Sequence, residues 1–91
     1  MSATLQKPRL ATGVRLHFDK VRDRHVLLFP EGALALNETA TDVLSLCDGQ
    51  RSLTEISAEL SARYGGADVS DDVAQLLAAI AERGLVVDAD A

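Results

Sequence analysis

No tryptophan occurs in this 91-residue chain, one tyrosine and two phenylalanines are its only aromatic residues besides two histidines, and a single cysteine, Cys47, stands alone. A core without large rings must be built from Leu, Val, Ile and Ala, and a domain this short buries only about 60–65% of the surface its unfolded chain exposes. Both points argue against a deep, enclosed active site. A lone thiol forms no intrachain disulfide, and within an apolar helical pattern it packs as a small hydrophobe rather than serving as a nucleophile or metal ligand. Long hydrophobic runs are also missing. Met1 to Arg9 lacks the apolar stretch of a signal peptide, and the run Val26 to Phe29 is far too short to cross a bilayer. A cytoplasmic protein with no membrane partner is the expectation.

The charge is divided more sharply than its total of −5 suggests. Residues 1–29 carry Lys7, Arg9, Arg15, Lys20, Arg22 and Arg24 against Asp19 and Asp23, a net +4. Residues 30–91 carry only Arg51, Arg63 and Arg83 against twelve carboxylates, a net −9. Halves of opposite sign point to a partner surface rather than to a membrane.

Hydrophobic periodicity supplies the element order. Val14, Leu16 and Phe18 alternate with Arg15, His17 and Asp19, the period of two of a strand with one buried face. After the polar connection Lys20 to Asp23, His25 to Phe29 reads as the hairpin partner, with His17 and His25 facing each other. Pro30 ends that pairing because it has no N–H to donate. Ala33 to Leu36 then alternates small and large apolar groups as a short third strand.

Three helical patterns follow. Asn37 caps a helix with Ala40, Val43, Leu44 and Cys47 on one face, closed by Asp48-Gly49. Ser52-Leu53-Thr54-Glu55 is a capping-box pattern opening a second, with Leu53, Ile56, Leu60 and Tyr64 along its stripe and Gly65-Gly66 stopping it. Ser70 caps a third helix with Asp71 and Asp72 at its positive end, Val73, Leu76, Leu77 and Ile80 inward, and Gly84 after it. The predicted fold is α+β: a three-stranded antiparallel sheet followed by a three-helix bundle, spanning residues 10–87 between tails 1–9 and 88–91, with Leu85 to Val87 extended.

No pattern here carries catalysis. There is no glycine-rich phosphate loop, no Cys or His ligand pair, and no Ser, His and Asp set, and two exposed histidines without a third ligand do not make a metal site. No cofactor or metal is expected. The informative feature is the edge of the sheet. Exposed edges normally carry charges or proline that discourage pairing with another chain, and strand one carries Arg15, His17 and Asp19. Ala33, Leu34, Ala35 and Leu36 carry no such guard, which suits an edge that accepts an extended peptide as a fourth strand. A helix laid over the edge, or pairing with a second copy of the chain in a dimer, would use it equally well. Specificity would need a side wall, and Gln75, Ala79 and Arg83 recur at four-residue spacing on a flank of the third helix. Added backbone hydrogen bonds contribute only a few kcal/mol, so apolar anchoring must bring affinity to the order of micromolar.

Taken in order, Val14-Arg15-Leu16-His17-Phe18-Asp19, Leu27-Leu28-Phe29-Pro30-Glu31-Gly32, Leu36-Asn37-Glu38-Thr39-Ala40, Leu46-Cys47-Asp48-Gly49 and Leu53-Thr54-Glu55-Ile56 resemble the PqqD family of pyrroloquinoline quinone (PQQ) biosynthesis. The likeness runs from about Pro8 to Val87. It implies a winged-helix-like recognition domain for a ribosomal precursor peptide, a RiPP recognition element without catalytic residues. The implied partners are the peptide PqqA and PqqE, the radical S-adenosylmethionine enzyme that joins a Glu and a Tyr side chain within it. It also implies that the peptide adds to the third strand and lies against the third helix, here Ala33 to Leu36 and the flank carrying Gln75, Leu76, Ala79 and Arg83. Two other readings compete. A winged helix suggests DNA binding, but a reading helix needs Lys and Arg to neutralise phosphates, and residues 30–91 carry a net −9. A carrier protein with Ser52 as attachment site conflicts with the N-terminal strands and with Arg51 beside it.

Overall fold

The computed structural model describes residues 5–89. Its elements are β1 (Pro8–Leu10), β2 (Arg15–Asp19), β3 (Arg24–Phe29), β4 (Gly32–Ala35), α1 (Glu38–Ser45), α2 (Leu53–Arg63), α3 (Ser70–Glu82) and β5 (Val86–Asp88). β2, β3 and β4 form an antiparallel meander in that order, so the α+β expectation of a three-stranded sheet followed by three helices holds.

Asp19 organises the first hairpin turn. Its carboxylate accepts the N–H groups of Val21 at 3.0 Å and Arg22 at 3.2 Å and pairs with the Arg22 guanidinium. The Arg22 N–H, aimed at this carboxylate, is the main reason that its pKa lies below the ordinary value. Asp23 completes the turn with a φ of 55°. The resulting register sets Phe18, not His17, opposite His25, with ring centroids 4.9 Å apart in an edge-to-face arrangement. His17 pairs with Val26, so the two histidines lie on opposite faces of the sheet, which corrects the facing pair expected from the alternation.

Leu16, Leu27 and Leu34 stand side by side across the three strands and form the sheet's contribution to the core. Against them pack Val43 and Leu44 of α1, Ile56 and Leu60 of α2, and Val73, Leu77 and Ile80 of α3. Leu27, Val43, Ile56 and Leu60 have no exposed surface at all.

The helix starts follow from local chemistry, with three departures from expectation. Asn37 caps α1 by accepting the Ala40 N–H at 2.7 Å. Ser52 and Glu55 form the reciprocal capping box at 3.1 and 2.8 Å. Ser52→Ala should therefore cost about 1 kcal/mol, measured as a lowered urea midpoint with an unchanged slope. Ser70, however, is inside α3 rather than at its cap. Val69 is the capping residue and makes no side-chain hydrogen bond, while the Asp68 carboxylate takes both the N–H and the hydroxyl of Ser70. Tyr64 is not on a buried stripe; it is 37% exposed, and its hydroxyl donates to the Asp42 carboxylate at 2.5 Å, tying the end of α2 to α1.

The third departure concerns Gly49. α1 ends at Leu46 in right-handed geometry, and Gly49, at a φ of 79°, serves the loop after it. Its N–H donates to the Pro8 carbonyl at 3.0 Å, and a Cβ there would lie 3.2 Å from that of Ala89. This close approach seats a second ladder that sequence periodicity did not reveal. β1 pairs with β5, Pro8 opposite Asp88 and Leu10 opposite Val86. The domain boundaries expected after residues 9 and 87 fall inside that ladder, whose three-residue strands are too short to show an alternation.

Candidate peptide-binding edge

Hydrogen-bond phase decides what β4 offers to a partner. The Leu36 N–H donates to the His25 carbonyl at 3.0 Å, which makes Leu36 and His25 a hydrogen-bonded pair. Antiparallel pairs alternate, so Leu34 with Leu27 and Gly32 with Phe29 are also hydrogen-bonded pairs, whereas Ala33 with Leu28 and Ala35 with Val26 are not. The N–H and C=O groups of Ala33 and Ala35 consequently point away from β3, and among the described residues no strand pairs with that side of β4. Four backbone groups thus line an open rim. The methyl groups of both alanines are exposed and leave it unshielded.

The eight residues singled out in the sequence divide into three groups. Ala33 and Ala35 are the rim, and Leu34 between them turns its side chain to the core face, where it is half-buried. Leu36 lies just beyond β4 and is buried in the core, so it anchors the strand's end. On α3, Gln75 and Ala79 are exposed, as is Arg83 at its C-cap, and Leu76 is half-buried against the same core cluster as Leu34. Arg83 reaches the sheet: its guanidinium carbon lies 6.0 Å from the centroid of the Phe29 ring, a cation–π distance. Phe29 was not foreseen as part of this region, because only the strand register reveals that its ring lies beside the start of β4.

An open cleft of about 980 Å³ lies at the opposite end of β4. Phe18, Arg24 and His25 from the hairpin, Ala35 and Leu36, and Glu38 and Asp42 of α1 line it. Its mixed charges fit a solvent-filled junction between hairpin and helix, and it does not involve α3. Cys47 lies elsewhere, buried, with its thiol donating to the Val43 carbonyl at 3.3 Å; burial, with the neighbouring Asp48 charge, pushes its pKa up to about 12. A thiol so held is protonated at neutral pH and is no nucleophile. No group of three or more metal-ligating side chains is gathered among the described residues, and no helix there is long and apolar enough to cross a membrane.

A small α+β domain with an unguarded edge strand, whose start is reached from the end of α3 through Arg83 and Phe29, is the class of protein these features define. The chain belongs to the family described as coenzyme PQQ synthesis protein D (PqqD), whose sequence profile matches residues 24–86. A PqqA binding protein of Xanthomonas oryzae pv. oryzae is 42% identical over 82 residues, covering 88% of this chain and 89% of its own. The solution structure of the PqqD truncation of Methylobacterium extorquens PqqCD, described as a functional and stand-alone RiPP recognition element, superposes with a TM-score of 0.76 at 38% identity. That likeness covers 88% of this chain and 87% of the other. The crystal structure of PqqD from Xanthomonas campestris is more distant in shape, with a TM-score of 0.57 at 35% identity over 84% of this chain and 87% of its own.

Proposed function

We propose that this protein binds the precursor peptide PqqA as a fourth strand on β4, against the α3 flank, and holds it for the modifying enzyme PqqE without doing chemistry itself. The outward N–H and C=O groups of Ala33 and Ala35 carry this reading. Relatives that bear the name PqqA binding protein supply the ligand. Four added hydrogen bonds contribute about 2–6 kcal/mol net, short of the roughly 8 kcal/mol of a micromolar complex. Half-buried Leu34 and Leu76 are the apolar surface available to supply the difference.

Titrating labelled protein with synthetic PqqA tests the proposal. The expected amide shifts cluster at residues 32–36 and 75–83, and they persist when PqqE is added to form a ternary complex. Shifts centred on β2, or release of the peptide by PqqE before modification, would reject it. Self-association through the same rim is the competing use of β4, and it predicts that peptide and dimer exclude one another in sedimentation experiments.

A further inference from the structure

The proposed strand addition has a consequence for which peptide fits, and this inference rests on that reading. A strand running antiparallel to β4 exchanges hydrogen bonds with Ala33 and Ala35, and the peptide residue between those two contacts stands opposite Leu34. Its side chain falls on Leu34's face of the sheet, beside the half-buried Leu34 side chain, a neighbour that favours an apolar group. Two residues later, on the same face, the next peptide side chain stands opposite Gly32.

The surroundings of that second position are unusual in three ways. Gly32 has no side chain, so nothing of β4 occupies the space. The Phe29 ring leans toward it from the neighbouring strand, its Cε2 4.0 Å from where a Gly32 Cβ would be. Arg83 sits over the same ring at 6.0 Å. Three arginines are the only cations in residues 30–91. Arg51 pairs with Asp48 at 2.8 Å and Arg63 lies 3.8 Å from Glu59, whereas no ion pair engages Arg83 among the described residues. An aromatic ring fixes the guanidinium plane while leaving its N–H edge available, which suits a carboxylate.

We propose that Arg83, steadied by Phe29 over the bare Gly32, is the receptor for an acidic side chain of the bound peptide, located two residues C-terminal to the apolar side chain beside Leu34. The ligand class is therefore a peptide with an apolar-x-acidic pattern rather than any extended segment.

Isothermal titration of wild type, Arg83→Gln and Ala35→Pro with synthetic PqqA, and with PqqA variants in which each carboxylate is changed singly to its amide, tests this. Arg83→Gln is expected to weaken binding about tenfold, the scale of one charge-assisted contact, and to flatten its salt dependence. One peptide variant, two residues after an apolar residue, should weaken wild type equally yet leave the affinity of Arg83→Gln unchanged. Wild-type affinity in a folded Arg83→Gln protein, or losses that add for every carboxylate, overturns the receptor. If Ala35→Pro loses binding while Arg83→Gln keeps it, only the receptor fails; if Ala35→Pro also binds normally, strand addition itself fails.

Discussion

Ala35→Pro is expected to weaken peptide binding by about 10–100-fold while leaving the fold intact. The Ala35 N–H faces the open side of β4, so proline there removes no bond of the β3–β4 ladder. Leu34 before it is already extended within a strand, the conformation a following proline demands. The peptide, in contrast, loses one donor, and the carbonyl that would have accepted from it is left unpaired, together about 1.5–3 kcal/mol. Leu34→Pro, one residue away, is expected to act in the opposite sense. Its N–H belongs to the ladder with β3, and its side chain packs on the core, so this variant should unfold or lose β4 outright. Calorimetric titration with PqqA and circular-dichroism melting of both proteins separate the two effects. Equal affinity of Ala35→Pro and wild type in a folded sample contradicts strand addition at this rim.

Leu27→Ala should be the most destabilising of the truncations considered. Leu27 is fully buried in the central strand, with Leu16 and Leu34 on either side. Removing it leaves a cavity where sheet and helices meet, at a cost of about 2–5 kcal/mol. For a domain of this size each kcal/mol moves Tm by about 4–8 °C, so a fall of more than about 10 °C is expected by differential scanning calorimetry. Phe18 provides the contrast, since it is 41% exposed and rests edge-on against His25; Phe18→Ala should cost markedly less. A loss for Leu27→Ala no larger than that of Phe18→Ala would mean that the sheet is not packed as described. Because Leu27 also supports Leu34, PqqA affinity should fall with stability in Leu27→Ala, but not in Ser52→Ala, whose capping box lies at the start of α2.

Short-range chemistry accounts for how much of the fold was legible. The capping box at Ser52 and Glu55 and the Asn37 cap depend on neighbours within a few residues, and each appears where the local sequence predicts it; of the alternating Val14, Leu16 and Phe18, Leu16 faces the core within β2, whereas Phe18 is exposed and Val14 precedes the strand. The misreadings involve longer reach. Cys47 and Gly49 look like the end of a helix, yet the chain leaves α1 at Leu46 so that Gly49 can pass beneath Pro8 and Ala89. Ser70 looks like a cap, but Asp68 competes for its N–H and hydroxyl. Tyr64 continues an apolar stripe, but its hydroxyl finds Asp42 at the surface.

From its residues alone this protein is determined to be small, ring-poor and divided in charge, with an unguarded strand followed by three amphipathic helices, because composition and periodicity are properties of neighbouring residues. Only the tertiary structure decided which backbone groups of that strand face outward, that Arg83 meets Phe29, and that the two ends of the domain pair as β1 and β5. The reason is register: a shift of one residue reverses every face of a strand, and register is set by turns and packing partners far away along the chain.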